Sequence, residues 1–303
     1  MAVTRRGLLQ GAAAASCMPV LPLWAGIDVG AMRIDSLSDG QLTLPADFIF
    51  GPMPQDAIAP IRAAHGLTGD TLTSPCTVTL MRRGEQVVLF DAGAGSGFQP
   101  TVGALVDALA GLDIAPEDVT HVVFTHAHPD HIWGVLDDFD DPLFTDAAHL
   151  IGRVEFDYWM DPTTADTIGA DRQAFALGAQ RRLEAVADRL AFFEDGAEIL
   201  PGVAAVASHG HTPGHMSFEL RDGSNSLMVL GDAIGNGHVA FARPDLPSGS
   251  DQDPEAAIDT RQRLFDRITA EQMQIVGFHF PEGGLGRAEA QGDGFVFVPE
   301  TAG

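Results

Sequence analysis

Apolar positions along the chain switch repeatedly between a period of two and a period near 3.6. Leu44 to Phe50 reads as a strand, and Gly51-Pro52-Met53-Pro54 stops it. From there to Pro75 the chain reads as loop, with His65 inside it. Cys76-Thr77-Val78-Thr79-Leu80 alternates apolar and polar, and Gly84 turns it back into Val87-Val88-Leu89-Phe90-Asp91, which predicts a hairpin. Asp91-Ala92-Gly93 opens a glycine-rich loop that lacks the lysine and Ser/Thr of a phosphate cradle. Helical spacing is expected over Val102 to Leu112, Val154 to Met160 and about Arg172 to Leu190, the last with Phe175, Leu183, Val186 and Leu190 on one face. Strands are expected over Glu117 to Phe124, Ala147 to Ile151, Val203 to Ser208, Met216 to Leu220, Leu227 to Leu230 and Gln274 to Phe278. Asp253 as N-cap and Pro254 at N1 begin a final helix with Ile258, Leu264, Phe265 and Ile268 on its apolar face. Irregular alternation with hairpins predicts a mixed α/β class.

The first 26 residues fall outside this pattern. Thr4-Arg5-Arg6-Gly7-Leu8-Leu9-Gln10, an alanine-rich apolar run and Ala25-Gly26 read as a twin-arginine signal, so residues 27–303 are expected to form one domain in the periplasm or outside the cell. The run is too short for a convincing bilayer span, and stable membrane insertion is not expected. Net charge is −25 from 17 basic and 42 acidic residues, and loss of Arg5 and Arg6 takes it to −27. Nucleic acid and anionic membranes are therefore poor partners. Only Cys76 remains after the signal, so no internal disulfide can form.

Three of eleven histidines and one carboxylate fall within His126-Ala127-His128-Pro129-Asp130-His131, directly after the apolar strand. In extended geometry His126 and His128 point to one side. Pro129 suits the first turn of a helix, which carries Asp130 and His131 another way. Two diverging pairs are enough to begin two adjacent metal sites. Three more strand ends carry similar chemistry: Ser208-His209-Gly210-His211-Thr212-Pro213-Gly214-His215, Leu230-Gly231-Asp232, and Gly277-Phe278-His279. A lone Asp232 at the end of an apolar strand would be costly unless paired or metal-bound.

In this order, from Ser74 to Arg287, the motifs resemble those of the metallo-β-lactamase superfamily, in particular the branch of methyl parathion hydrolase and the quorum-quenching lactonases. The resemblance implies a four-layer αβ/βα sandwich, with two mixed sheets face to face and helices outside. It also implies that His126, His128 and His211 hold one metal, that Asp130, His131 and His279 hold the other, and that Asp232 bridges them. Trp133 after His-Ile and Glu282-Gly283 after the His279 motif depart from the family pattern beside the metals and put the substrate in question.

Two divalent ions, two ligand carboxylates and a bridging hydroxide leave a centre with about one net positive charge, and such a pair lowers the pKa of bound water to about 7. The expected activity is metal-dependent hydrolysis of a neutral ester-like small molecule (lactone, ester or phosphotriester). Zinc is the first expectation for both metals, with manganese, cobalt or iron as alternatives, and a homodimer is compatible with the sequence. Asp130 is the candidate proton shuttle to the leaving group. Asp91 and His215 are candidates to orient the ligands. Trp133, Tyr158 and Glu282 are candidates for the substrate rim, with Phe156 and Trp159 equally suited to core packing; His209, His65, His121, His149 and His238 read as structural. A mononuclear iron sulfur dioxygenase of the same fold, a β-lactamase and a non-catalytic metal-binding protein are the competing readings.

Overall fold

The computed structural model describes residues 26–300, so the stretch read as a twin-arginine signal lies, apart from Gly26, outside the described residues. Two seven-stranded mixed sheets face each other. The first runs in chain order through β1 (Gly26–Val29), β2 (Met32–Pro45), β3 (Thr71–Arg83), β4 (Gln86–Phe90), β5 (His121–Val123), β6 (Ala148–Gly152) and β7 (Leu190–Phe193). The second likewise runs through β8 (Glu198–Leu200), β9 (Val203–Ala207), β10 (Met216–Asp222), β11 (Asn225–Val229), β12 (Gln274–Val276), β13 (Leu285–Gln291) and β14 (Gly294–Pro299). The described α-helices are α1 (Ala46–Phe50), α2 (Gln55–Ala64), α3 (Leu105–Ala110), α4 (Pro129–Ile132), α5 (Arg153–Met160), α6 (Thr164–Thr167), α7 (Gln173–Ala185), α8 (Val239–Ala242) and α9 (Pro254–Ala270), with short 3-10 turns at Pro116–Asp118, Trp133–Val135 and Ala187–Arg189.

Near-continuous apolar strands make the layers. In β4, Val88 and Phe90 point between the sheets while Leu89 points to the helices. In β11, Leu227 and Val229 point inward while Met228 packs with Leu264, Phe265 and Ile268 of α9. The outer face of the first sheet carries α3, α5 and α7, including the fully buried Trp159 and Leu183. The arrangement is the expected sandwich with helices outside.

Pairing geometry decides where the site forms. β4, β5 and β6 run parallel, as do β11 and β12, whereas the other pairs of the second sheet are antiparallel. The C-terminal ends of β4, β5, β11 and β12 and the β9–β10 loop consequently meet at one end of the sandwich. No described helix is long and apolar enough to cross a membrane.

Four expectations need correction. Leu44 to Phe50 is the end of β2 followed by α1, because a short apolar run does not distinguish strand from helix. The stretch read as loop contains α2 despite Pro60, and Ile58 is buried beside Phe50, Met53, Leu72 and Val239; tertiary packing outweighs the proline. The helix expected to reach Leu190 stops at Ala185, and Leu190–Phe193 pairs in parallel with β6 instead. The strands at both ends, β1 with most of β2 and β13 with β14, were not among the predicted elements. The start of α9 is as predicted, with the Asp253 carboxylate accepting from Ala256 N.

Candidate metal centre

After β5 the chain stays extended through His128, whose φ and ψ are −68° and 159°, and Pro129 then starts α4. The ring atoms His126 Nε2 and His128 Nδ1 lie 3.0 Å apart, and His211 Nε2 from the β9–β10 loop lies 2.9 Å from His128 Nδ1. On the other side, His279 Nε2 lies 3.3 Å from Asp130 Oδ2, and His131 Nε2 lies 3.6 Å from it. Asp232 stands between, 3.3 Å from His131, His211 and His279. All seven predicted ligand positions therefore converge. His126, His128 and His211 form one group that could hold an ion, and His131 and Asp130 approach Asp232 and His279 around a neighbouring position.

Surrounding partners leave the inward atoms free. The outer Nδ1 of His126 meets Thr125 Oγ1 at 3.0 Å, that of His131 meets Asp91 Oδ2 at 2.8 Å, and that of His211 meets Asp251 Oδ1 at 3.2 Å. His279 Nδ1 donates to Pro75 O at 2.6 Å. These contacts place the ring protons outward and the lone pairs inward. Asp130 Oδ2, His131 Nε2 and Asp232 Oδ1 are buried without a hydrogen-bond partner. Uncompensated polar atoms of this kind are costly, and a set of imidazoles and carboxylates suits divalent cations. The residues fit a metal pair.

Charge divides the groups. Burial, reinforced by the neighbouring imidazoles, holds His126 and His128 well below the usual histidine range. Burial also opposes protonation of His131, yet Asp232, Asp130 and Asp91 push it up to about 10. Asp232 and Asp130 likewise outweigh burial and raise His279 well above its ordinary value, and burial is also outweighed at Asp232, which His279, His131 and His211 hold well below the carboxylate range.

Two flanking predictions find clear places. Asp91 is buried in the left-handed region (φ 72°) and accepts from Thr125 N, Thr125 Oγ1 and His131 Nδ1. His215 accepts from Asp232 N at 3.0 Å through Nε2, while its Nδ1 meets Ser208 Oγ. A side chain at Gly231 would meet the His215 ring at 2.7 Å, so this close approach requires glycine.

The rim predictions require correction. A largely apolar cavity of about 280 Å³ opens on His128, Asp130, His211, Asp232 and His279. Its far wall comes from Leu42, Leu44, Phe48, Ile49, Leu72 and Phe98, with the half-buried Arg172 beside them. Trp133, Tyr158 and Glu282 do not line it. The Trp133 indole is taken up by Phe98, Gly178 and the Arg182 guanidinium. The Tyr158 hydroxyl donates to Gln252 Oε1, and Glu282 is exposed in a left-handed turn. Trp159 is core, and its indole donates to Glu155.

Sequence reasoning gave no role at the site to Asp251, Gln252, Arg172 or Arg261. It placed Glu155 only as part of a helix, although its buried carboxylate accepts from Ala127 N, Trp159 Nε1, Thr212 Oγ1 and Gly214 N.

Residues 72–270 match the family model for the metallo-beta-lactamase superfamily. The chain belongs to this superfamily. It is a metallo-β-lactamase-type hydrolase, from a family that uses divalent metals. Its fold is similar to that of AidC, described as a dizinc quorum-quenching lactonase, with a TM-score of 0.85 at 23% identity over 93% of this chain and 98% of that one. It is also similar to AbOPH, described as a hydrolase in the β-lactamase superfamily, with a TM-score of 0.84 at 26% identity over 92% and 98%. In sequence, the N-acyl homoserine lactonase AttM of Agrobacterium fabrum is 30% identical over 132 residues, covering 42% of this chain and 46% of AttM.

Proposed function

We propose that this metallo-β-lactamase-type chain is a dinuclear hydrolase of neutral ester-like small molecules, with lactones as the leading substrate class. The observation that carries the reading is an apolar cavity that ends on five of the seven convergent ligand side chains, in a set with three inward atoms that have no other partner. His126, His128 and His211 would hold one ion, and Asp130, His131 and His279 the other, with Asp232 shared. A pair of divalent ions, zinc by first expectation, supplies Lewis acidity and a water acidified to about pKa 7.

The chain's own groups supply the rest. Leu42, Leu44, Phe48, Ile49 and Leu72 offer an apolar substituent a dry wall. Asp130, which lines the cavity, would carry a proton to the leaving oxygen. The net charge of −25 disfavours polyanionic substrates, an effect screened over about 8 Å at physiological salt. The likeness to AttM supports lactones over phosphotriesters.

Elemental analysis of the purified protein, followed by pH-stat assays on an alkyl γ-lactone, an N-acyl homoserine lactone, a phosphotriester and a cephalosporin, tests this. Two divalent ions per chain and preferential lactone opening are expected. One iron per chain with oxygen uptake on a persulfide would replace the reading with dioxygenation. The twin-arginine segment further supports export, which fractionation of cells carrying Arg5→Lys/Arg6→Lys would check.

A further inference from the structure

The segment joining α8 to α9, residues 243–253, crosses from the cavity wall to the first histidine group. Ser248 and Ser250 line the cavity, and the Gly249 and Ser250 carbonyls accept from Arg172, which lines it too. Directly after Ser250, Asp251 Oδ1 meets His211 Nδ1 at 3.2 Å. The next residue, Gln252, turns its amide nitrogen to His128 Nε2 at 3.4 Å and accepts from the Tyr158 hydroxyl through Oε1 at 2.6 Å. Backbone contacts bind this strap to the loop it serves: Gln252 N donates to His211 O, and Asp253 N donates to Gly210 O.

We infer that Asp251 and Gln252 are positioning residues that fix the rings of His211 and His128 for one metal of the pair and leave the other metal's ligands untouched. His211 must keep its proton on Nδ1 to present Nε2 inward, and a carboxylate acceptor enforces that tautomer. Asp251 does not swing away, because Arg261 donates to its Oδ2 at 3.0 Å. Arg261 is itself fully buried, and its NH1 is tied to the Pro244 and Leu246 carbonyls. A buried arginine is thus committed to one carboxylate and to the backbone of the same strap, an arrangement that general packing does not require.

His128 has the opposite polarity, since Nδ1 faces its partners and Nε2 faces out. A half-turn of the Gln252 amide offers Oε1 to His128 Nε2–H and the NH2 group to the Tyr158 oxygen, so the amide can hold that tautomer. The second group uses none of this. Its histidines rest on Asp91 and on the Pro75 carbonyl.

The inference rests on the metal reading above, and its test separates the two. Zinc affinities of metal-stripped protein would be measured by competition with a chromophoric chelator for wild type, Asp251→Ala, Asp251→Asn, Gln252→Met and the exposed strap control Asp245→Asn. Absorption spectra of the cobalt-substituted proteins would accompany them. Failure of wild type to bind two ions sinks the metal reading itself. With two ions bound, Asp251→Ala and Gln252→Met are expected to weaken one of them by about 10–100-fold and leave the other within about threefold. Asp251→Asn, which keeps an acceptor oxygen, should recover part of the loss, and Asp245→Asn should match wild type. The cobalt bands of one ion should shift. Unchanged affinities, or an equal fall for both ions, would overturn the assignment. Should Asp251→Ala not fold, the half-buried Gln252→Met decides alone by the same criteria.

Discussion

His126, His128 and His211 meet one another through three imidazole nitrogens, whereas Asp130, His131 and His279 meet around the carboxylate of Asp232. In the first group His126 and His128 are held neutral by burial and by one another. In the second, burial also opposes charge, but the carboxylates win and His131 is pushed up to about 10. Protons and internal ion pairs can partly balance the second group, although Asp130 Oδ2, His131 Nε2 and Asp232 Oδ1 have no hydrogen-bond partner, while the first turns lone pairs toward lone pairs and has only a cation to compensate it. Two neighbouring sites of similar ligand number thus depend on their surroundings in different ways. The first must be built rigidly from outside, and the second is partly assembled by its own charges.

Asp232 is where the distinction breaks down, because its carboxylate reaches His131, His211 and His279 at the same 3.3 Å. Asp232→Ala should empty both positions together and reduce hydrolysis by at least about 10³-fold, roughly 4 kcal/mol of transition-state stabilisation. Thermal stability of the metal-loaded form should fall as well, since metal binding is also folding energy. Elemental analysis checks this directly. A variant that keeps both ions would show that Asp232 is not the shared ligand.

Glu155 tests the first group alone. Its two oxygens tie Ala127 N, between His126 and His128, to Thr212 and Gly214 beside His211. Truncation to alanine abandons four buried donors, three of them on the loops that carry the histidines. A loss of about 3–5 kcal/mol in chemical denaturation is expected, with weaker binding of one ion. Glu155→Gln should lie between, because its single oxygen can serve only half the donors. Normal stability in the alanine variant would show that those loops need no such tie.

Asp91 is the corresponding handle on the second group, and the expected effect is smaller. Asp91→Asn keeps an oxygen for Thr125 or His131 but loses the charge facing His131. One ion should weaken by about 10–100-fold with stability nearly unchanged. A larger effect than that of Glu155→Ala would reverse the contrast between an externally built group and a self-assembling one.

The residues these tests touch differ in how legible they are. The seven convergent positions stand in short motifs at strand ends, and strand ends can be read from a run of apolar residues that stops. The same runs predict only a mixed α/β class, and the sandwich layers come from the family resemblance that the motifs carry. Asp251 and Gln252 carry no such mark: they stand in Ser250-Asp251-Gln252-Asp253-Pro254, which reads as a helix start, and their histidine partners are 40 and 124 residues away. The cavity's far wall was lost for another reason. Leu44 to Phe50 has an apolar pattern that both strand and helix accept, and only packing of α1 and α2 against Val239 and Leu246 settles the choice. Trp133 shows the converse error, since nearness to His131 in sequence says nothing about which face of a one-turn helix the indole occupies.

The smallest effect comes from a histidine outside the centre, and measuring it keeps acid sensitivity from being credited to the metal ligands. His149 on β6 is fully buried, stacks on Phe124 at 6.1 Å, and has no partner for either ring nitrogen. Burial, with a smaller contribution from Arg189, lowers its pKa to about 4. As pH falls below about 6.5 the unfolded chain takes up this proton and the folded chain does not, so stability is lost progressively until pH passes the folded value. Between pH 7.5 and 5.5 the loss should be about 1 kcal/mol. Urea denaturation of wild type and His149→Phe at both pH values, with zinc in excess, isolates this contribution because the centre's own titration is common to the two proteins. The phenylalanine variant should lose about 1 kcal/mol less than wild type over that interval. Equal losses would mean that the folded protein accommodates the His149 proton, and the whole acid response would then belong to the metal centre and the remaining titrating groups.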